Sequence, residues 1–426
     1  MNSNVSDLVQ AAGKSAAAGN WQQAEEHWRQ VIALEPTHPQ ALCSLGIHAL
    51  QRGDVDTALG FLETSRAAAP GDTLTLMTIA AAHRHAGNAA GEREAIDAVL
   101  ETNSNFVPAL LLKADWMERN ATAAAAAATY KAALAISPAE ADWPPDFRER
   151  LLHARAYVAR HSEALLQHLN ASLASELQRL PSGLAPRWRE AVSIRAGMSR
   201  PFVSQSNQLH IPRLPAIPFY DRSAFPFLAA LEAGTDTIRA ELADVIANHS
   251  DGFVPYIAYN RGDPVNQWKK LNHSRDWGAF HLWRGGVACE DNLKHCPETA
   301  RILRTLPLAD IDGLCPNVFF SSLQPHTHIP PHYGESNARL IAHLPLLVPA
   351  GCKLRVGFEE REWKVGEVLV FDDTLQHEAV NNSDDLRVVL IFDLWNPLLS
   401  EAERKLTSRL AAATRQFSGR SPTQNG

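Results

Sequence analysis

The sequence predicts a chain of two unlike parts, an all-α array of repeated helix pairs followed by an antiparallel β-sandwich or barrel. Three observations support this fold class. The chain has 426 residues, which is too long for one ordinary hydrophobic core. A 34-residue period runs through its first third. After Pro316, short β-rich runs such as "NVFFSSLQ" and "CKLRVGF" alternate with turn signals, which is typical of antiparallel β architecture.

The period is marked by glycines and by small residues. Gly19, Gly53 and Gly87 stand 34 residues apart, and small residues recur at two further positions of each unit. These small residues are Gly46, Ala80 and Ala114 at one position, and Ala24, Ala58 and Ala126 at the other. Prolines at 36, 70 and 138 close three of the units. Small residues where paired helices must touch, repeated every 34 residues, resemble the tetratricopeptide repeat.

Four repeats fit residues 5–38, 39–72, 73–106 and 107–140, and the last is degenerate, with the alanine run "ATAAAAAATY". We therefore predict a solenoid over residues 1–140, because each unit buries its apolar face only against its neighbours. Two interpretations stay open. The concave groove of the solenoid binds a protein partner, or the repeats are a structural or dimerising appendage.

The rest of the chain divides by composition. Residues 141–205 keep a helical pattern and are expected to form a connector that ends near "PSGLAP". Residues 206–412 are expected to form the β domain, closed by a helix whose N-terminal capping box is Ser400 with Glu403. The remaining residues 413–426, ending in "SGRSPTQNG", are expected to be a disordered tail.

Charge and composition exclude several classes of function. The net charge of −7 and pI near 6.2 argue against a nucleic-acid binder. No run of about 18 apolar residues indicates a membrane span, and the N-terminus lacks the layout of a signal peptide. Five cysteines form a sparse, odd-numbered set, so we expect a cytoplasmic protein with free thiols. Pairing of Cys289 with Cys296 under oxidation stays an open alternative.

The stretch "HTHIPPHYGESNARLIAHL", residues 326–344, is rich in candidate metal ligands, with four histidines. Side chains alternate across a strand, so Arg339, Ile341 and His343 are predicted to share one face. The opposite face carries only Leu340, Ala342 and Leu344. The first face is therefore the candidate wall of a polar pocket.

A second candidate wall follows in "TLQHEAVNNSDDLRVVL". This segment reads as a hairpin centred on Asn382, which would place His377 across the strands from Arg387. Imidazole ligands beside a permanent cation are typical of non-haem iron oxygenases, in which an arginine holds a carboxylate.

These segments carry a family resemblance. "SSLQPHTHIPPHYGESNARLIAHL", "VGEVLVFDDTLQHEAV" and "LRVVLIFDLWNP", together with "WGAFHLW", resemble the aspartyl/asparaginyl β-hydroxylase family over residues 210–400. The resemblance implies a double-stranded β-helix (jelly-roll) fold. It also implies an enzyme that uses Fe(II), 2-oxoglutarate and O2 to hydroxylate a substrate.

The resemblance also assigns roles to residues. It implies that His332 and His377 bind iron. It implies that four other residues contact 2-oxoglutarate: Trp283, Ser321, His343 and Arg387. His326 and His328 match no catalytic position, and we expect them to be structural or to lie around the site.

The third metal ligand usual in this fold is absent from the sequence. A carboxylate commonly stands two residues after the first histidine, and Gly334 occupies that position here. The family that this sequence resembles has the same His-x-Gly pattern. We therefore expect water or an anion to complete the coordination of the iron. Asp372 and Asp373 are expected to hydrogen-bond nearby backbone or to orient a ligand histidine, and not to replace the missing ligand.

Two departures from the family bear on the substrate. Animal members of the family carry cations where this chain has Phe319 and Ile341, which leaves Arg339 as the one cation expected to contact substrate. An acidic side chain buried there would be poorly paired. We therefore expect a group with one carboxylate or amide beside an apolar portion to be preferred over a peptidyl aspartate.

Several functional alternatives remain at this point. The hydroxylated substrate is a peptidyl residue, a free amino acid or small peptide, another small molecule, or a lipid acyl chain. A rival from another class is a non-enzymatic scaffold, in which the repeats bind a partner and the β domain is inert. The presence of His332, His377 and Arg387 favours the enzyme.

Overall fold

The chain forms two compact units that divide between Ser199 and Arg200. The computed structural model describes residues 3–181 and 184–418. The first unit is entirely helical. Its helices are α1 (Ser3–Ala17), α2 (Trp21–Leu34), α3 (Pro39–Gln51), α4 (Val55–Ala68), α5 (Thr73–His85), α6 (Ala89–Thr102), α7 (Val107–Asn120), α8 (Ala123–Ile136), α9 (Pro145–Arg179) and α10 (Ala185–Ala196).

Helices α1 to α8 form four antiparallel pairs, which confirms the predicted repeats. Gly19, Gly53 and Gly87 close the turns inside the first three pairs at φ of +76°, +79° and +68°, a region that favours glycine. A Cβ on Gly46 would lie 2.5 Å from Leu62 Cγ, so the helices of the second pair touch closely. The second set of repeated alanines, at 24, 58 and 126, is fully buried. The small residues are therefore set by helix contact.

The region expected to be a connector contains two helices. Helix α9 has 35 residues, of which Leu151 and Ala154 are buried among those described. The compact unit ends at Ser199, and residues 200–205 belong to the second unit. None of the helices within the described residues is long and apolar enough to cross a membrane.

The second unit contains two antiparallel sheets. The strands are β1 (Val254–Pro255), β2 (Trp277–Arg284), β3 (Val287–Ala288), β4 (Val318–Leu323), β5 (Thr327–His332), β6 (Arg339–Leu347), β7 (Cys352–Val356), β8 (Glu359–Glu362), β9 (Leu369–Phe371), β10 (His377–Asn381) and β11 (Arg387–Trp395). The large sheet has the order β1-β2-β4-β11-β6-β9, with β3 paired to β2. The small sheet has the order β5-β10-β7-β8.

Successive strands from β4 onward cross repeatedly between the two sheets, which is the pattern of a jelly roll. One core, containing Leu340, Ala342 and Leu344, lies between the large sheet and helices α11 (Leu228–Ala233), α12 (Thr235–Asn248) and α14 (Pro297–Leu303). A second core lies between the sheets. The short helix α13 (Glu290–Leu293) follows β3. The position of Leu340, Ala342 and Leu344 in the first core confirms the predicted apolar face of β6.

The predicted hairpin about Asn382 is wrong. Strand β10 belongs to the small sheet and β11 to the large one, so His377 and Arg387 are not cross-strand partners. Instead, His377 pairs with His332 on one side and with Val356 on the other. The Asn381 side chain donates to the carbonyls of Leu323, Gln324 and Asp385. These bonds hold the chain as it crosses between sheets, where a hairpin would have turned back.

The C-terminal helix α15 (Glu401–Ser418) has the predicted capping box. Ser400 N donates to Glu403 Oε2 at 2.8 Å, and Glu403 N donates to Ser400 Oγ at 3.4 Å. The helix continues to Ser418 and so includes residues 413–418, which we expected in the tail. Good helix formers in "RLAAATRQ" account for the extension. The rest of the expected tail, residues 419–426, lies outside the described residues.

An extended segment, residues 204–211, is bonded to two loops that flank β5 and β10. Gln205 N donates to Thr374 O at 2.7 Å, and Asn207 N donates to Gly334 O at 2.9 Å. Farther along, Ile211 N donates to Asn337 Oδ1 at 2.7 Å. The segment therefore holds the loops that follow His332 and precede His377.

Fragments that begin at residues 200, 206 and 212 should lose stability in that order. Starting at 206 removes the bond of Gln205, and starting at 212 removes the whole set, at about 1 kcal/mol for each hydrogen bond. Thermal unfolding of the three fragments, followed by circular dichroism, measures the effect. Equal melting temperatures for the fragments starting at 200 and 212 would contradict the role of this segment.

Candidate active site

A cavity of about 580 Å³ opens between the two sheets of the second unit. Its walls come from both sheets and from the loops after β1 and β5. Aromatic, imidazole and charged side chains contribute most of the lining used below: Tyr256, Trp268, Trp277, Phe319, His332, His343, His377, Glu335, Arg339, Asp373, Arg387 and Asp393.

The centre of the cavity holds two histidines from neighbouring strands. The rings of His332 on β5 and His377 on β10 have centroids 4.0 Å apart. His332 Nδ1 lies 2.8 Å from Pro330 O, and His377 Nδ1 lies 3.0 Å from Leu375 O. A carbonyl only accepts, so each Nδ1 carries the proton and each Nε2 keeps its lone pair. The structure thus brings together the two predicted metal ligands.

Both imidazoles are neutral at physiological pH. Burial, together with the neighbouring His377, lowers the pKa of His332 to about 3. Burial also lowers the pKa of His377 to about 4. Neutral imidazole is the form that binds divalent metal ions, so the pair is already in the ligand state.

Gly334 is required by the close approach of Asp373. A Cβ on Gly334 would lie 1.9 Å from Asp373 Oδ2 and 2.1 Å from its Cγ. Gly334 N also donates to Asp373 O at 2.7 Å. The Asp373 carboxylate therefore fills the space that a side chain at position 334 would need.

The two aspartates after β9 have different partners. Asp372 Oδ1 accepts from Thr374 N at 2.9 Å, the backbone contact that we predicted. Asp373 Oδ2 accepts from Arg339 Nη1 at 2.7 Å, while its Oδ1 has no hydrogen-bond partner. Within the described residues, no group of three or more His, Cys, Asp or Glu is arranged to hold a metal ion.

Arg387 lies at one end of the cavity as a buried cation. It is 1% exposed, its guanidinium lies 4.8 Å from the Trp363 ring, and burial lowers its pKa to about 10. Nη1 donates to Ser321 O at 3.4 Å, and Nε is unsatisfied. None of the described carboxylates pairs with it. A buried guanidinium in this state has capacity for an anion.

His343 and Ser321 line the same end of the cavity. Trp363 Nε1 donates to His343 Nδ1 at 3.2 Å, so the proton of His343 lies on Nε2. Burial, helped by the charge of Arg387, lowers the pKa of His343 well below its usual value, which keeps it neutral. Ser321 Oγ accepts from Trp277 Nε1 at 3.2 Å, which leaves its hydroxyl hydrogen to donate.

Trp283 is not brought together with the other predicted site residues. It lies against the core on the helical side of the large sheet, and Arg304 lies 5.9 Å from its ring. The physical reason is an irregularity in β2: His281 pairs with Phe319, but Trp283 pairs with Val318, which leaves Leu282 as an extra residue. The bulge reverses the alternation beyond His281, so Trp283 faces away, and Trp277 is the tryptophan of β2 that lines the cavity.

Arg339 is not the free substrate-binding cation that we expected. Its guanidinium contacts three carboxylates: Asp373 at 2.7 Å, Glu335 at 3.2 Å and Asp393 at 3.3 Å. Burial opposes its charge, yet these carboxylates raise the pKa of Arg339 well above its ordinary value. This pairing could not be predicted from the sequence, because Asp373 and Asp393 are distant from Arg339 along the chain. Because each nitrogen of its guanidinium already faces a carboxylate of the chain, Arg339 has little capacity for a substrate carboxylate.

The apolar substitutions at Phe319 and Ile341 do face the cavity, as predicted. His326 and His328 do not line it. They are exposed, and their Nε2 atoms lie 2.9 Å from Asp384 and 2.7 Å from Glu378. These two histidines are surface residues, each paired with a carboxylate.

One wall of the cavity is aromatic and was not predicted from the sequence. The Tyr256 ring stacks on Trp277 at 4.1 Å and on Phe319 at 5.4 Å, and the Trp268 ring contacts His332 edge-on at 4.9 Å. Tyr256 directly follows β1, and Trp268 lies in a short 3-10 helix (Asn266–Lys270) before β2, so neither belongs to a long periodic pattern that indicates direction. The only available signal was the aromatic density of "YIAYNRGDPVNQW".

Each of the two units matches a known protein family. Residues 232–397 match the family described as Aspartyl/Asparaginyl beta-hydroxylase, and residues 15–82 match Tetratricopeptide repeat. An ornithine lipid ester-linked acyl 2-hydroxylase from Rhizobium tropici is 34% identical over 55% of this chain and 80% of that protein. The human aspartate beta-hydroxylase domain-containing protein 2 is also 34% identical, over 49% of this chain and 55% of its own length.

The human aspartyl/asparaginyl beta-hydroxylase is 29% identical, over 55% of this chain and 29% of its own length. The match therefore spans only part of the two human relatives. The jelly-roll unit, with its histidine pair and buried arginine, defines a hydroxylase-type β domain joined to a repeat array. The chain belongs to the aspartyl/asparaginyl β-hydroxylase family.

The contact between Gly334 and Asp373 gives a steric prediction. Gly334→Ala should destabilise the protein by about 1–3 kcal/mol, because the new Cβ overlaps the Asp373 carboxylate. Gly334→Ala combined with Asp373→Ala should be less destabilised than the sum of the two single changes. Chemical denaturation of the four proteins measures this coupling. Strict additivity would show that the two residues do not collide.

Proposed function

We propose that the protein is an Fe(II)- and 2-oxoglutarate-dependent dioxygenase that hydroxylates an unactivated C–H bond of a peptidyl or amino-acid substrate. The observation that carries this proposal is the pair of neutral imidazoles at 4.0 Å beside a buried arginine that has no carboxylate partner among the described residues. Two neutral imidazoles in the same cavity as this arginine suit a metal that binds an anionic co-substrate.

The donor set fits iron. His332 and His377 would supply two neutral Nε2 ligands, each oriented by the carbonyl that its Nδ1 contacts. Bound iron would supply the activation of O2, coupled to oxidative decarboxylation of 2-oxoglutarate. Because Asp373 fills the space beside Gly334 and is held by Arg339, water or an anion would complete the coordination.

The chain's own residues would bind 2-oxoglutarate at the Arg387 end of the cavity. The guanidinium of Arg387 would pair with the distal carboxylate, and the Ser321 hydroxyl would donate to it. His343, protonated on Nε2, would donate a further hydrogen bond without adding charge. Trp277 would hold Ser321 in place through its indole N–H, and with Phe319 it would limit the access of water.

Other substrates remain as a second candidate. The Rhizobium relative is named for hydroxylation of an ester-linked acyl chain, which favours a lipid or another small molecule as the alternative. The repeats would bind a protein partner, as a substrate or as a scaffold. Five free thiols in the structure support a reducing, cytoplasmic setting.

The ligand assignment can be tested with His332→Ala and His377→Ala. Either variant should lose high-affinity Fe(II) binding and all release of succinate, because two protein ligands leave no redundancy. Anaerobic calorimetry measures the metal, and mass spectrometry measures succinate. His326→Ala is the matched control, since this histidine is exposed and pairs with Asp384, and its activity should stay within about tenfold. Equal loss in His326→Ala would overturn the assignment.

The co-substrate site can be tested with Arg387→Met, which keeps an apolar stem against Trp363 but removes the charge. The dissociation constant for 2-oxoglutarate should rise by the equivalent of about 2–5 kcal/mol, the usual loss for a buried charged pair. Arg361→Met is the control, because Arg361 is partly exposed and pairs with Glu359. An unchanged affinity in Arg387→Met would remove Arg387 from this role.

A further inference from the structure

The cavity is charged differently at its two ends. Arg387 and Asp393 both line it and stand six residues apart on β11. Six residues of extended strand span roughly 20 Å. The row of side chains that includes Ile391 and His343 lies between them. The end around Arg387, which would bind 2-oxoglutarate, is therefore cationic. The far end, around Asp393, carries carboxylates.

The far end carries more carboxylates than cations. Arg339 is surrounded by Glu335, Asp373 and Asp393, each nearest to a different guanidinium nitrogen. One guanidinium against three carboxylates leaves a formal excess of two negative charges, while burial raises the pKa of Glu335 and raises that of Asp393 to about 6. Arg284, an exposed residue at the cavity lining, reduces this excess to one and does not reverse it.

Two oxygens of this acidic end are buried and lack a hydrogen bond. Asp373 is 5% exposed and Asp393 is fully buried, and Oδ1 of each has no hydrogen-bond partner within the described residues. Asp393 Oδ1 lies 3.3 Å from Arg339 Nε but is not aligned to accept from it. Buried carboxylate oxygens require donors, and both residues belong to the lining of the cavity.

The neighbouring wall suits the apolar part of such a donor. Phe319 and Ile341 are apolar, and Asn317 next to Phe319 already donates through its backbone N–H to Asp393 Oδ2 at 2.6 Å. Tyr256, which is 40% exposed, stacks against Phe319 and offers an aromatic face. Aromatic faces near carboxylates favour ammonium and guanidinium groups.

We propose that the acidic end, formed by Glu335, Asp373 and Asp393 around Arg339, binds a positively charged group of the substrate. The group is a primary ammonium or a guanidinium on an apolar stem, and the stem lies along Phe319 and Ile341. This inference rests on the proposed function, since it names the substrate class of the same cavity. It also replaces our expectation of a substrate carboxylate or amide, because Arg339 is already paired.

The test uses three probes of similar length and the full chain at pH 8. They are the N-acetyl methylamides of lysine, norleucine and glutamate, which present a cation, an apolar group and an anion. Calorimetric binding to the metal-free protein should give a dissociation constant for the lysine probe at least tenfold below that of norleucine. The glutamate probe should bind more weakly than both. Equal binding of lysine and norleucine, or tighter binding of glutamate, overturns the proposal.

Variants locate the binding to the acidic end. Glu335→Gln and Asp393→Asn should each reduce the preference for lysine over norleucine at least threefold. If the buried Asp393→Asn variant fails to fold, Glu335→Gln, at a side chain that is 37% exposed, carries the test alone. Glu360→Gln, which removes an exposed carboxylate paired with Lys353, should leave the preference unchanged. Loss of preference in Glu360→Gln as well would indicate a general charge effect and overturn the location.

A separate measurement distinguishes this inference from the proposed function. Anaerobic Fe(II)-dependent binding of 2-oxoglutarate is measured on the same preparations. If 2-oxoglutarate binds and the lysine probe shows no preference, the substrate inference alone fails. If the lysine probe is preferred but 2-oxoglutarate does not bind, the cavity recognises a cation and the dioxygenase proposal fails.

Discussion

The approach of the Asp373 carboxylate to Gly334 is the constraint on which the site depends. Asp373 follows β9 and precedes His377, while Gly334 follows His332. The backbone bond from Gly334 N to Asp373 O and the missing Cβ at 334 bring the two loops together. Arg339 on β6 then fixes the carboxylate from the large sheet. His332 and His377 are themselves paired between β5 and β10, and this contact holds together the two loops that adjoin the pair.

Much of the architecture could be predicted from local rules. The 34-residue period placed the helix pairs, because inter-helix contact admits only small residues at fixed positions. Strict alternation in "ARLIAHL" separated the cavity face of β6 from its core face. Both rules depend on regular geometry alone, which the sequence expresses directly.

The failures occurred where the geometry is irregular or the contact is distant. A bulge at Leu282 reversed the alternation of β2, so Trp283 was assigned to the wrong face. The turn-like "NNSDD" indicated a hairpin, but the side chain of Asn381 instead bonds three carbonyls at a crossing between sheets. Two of the three carboxylate partners of Arg339, Asp373 and Asp393, lie 34 and 54 residues away along the chain, beyond any local pattern. The pairing of Arg339 with carboxylates inside the cavity therefore follows from the three-dimensional structure and could not be predicted from the sequence.

The two histidines are oriented in the same local way, and this has an evolutionary consequence. Each Nδ1 contacts the carbonyl two residues earlier in its own segment, Pro330 for His332 and Leu375 for His377. The orientation of each ring is thus encoded within three consecutive residues. The acidic end, by contrast, is assembled from three separate segments. Mutations at Glu335 or Asp393 can retune recognition while Asp373 and the tautomers of both histidines are inherited unchanged, so the fold allows specificity to diverge faster than chemistry.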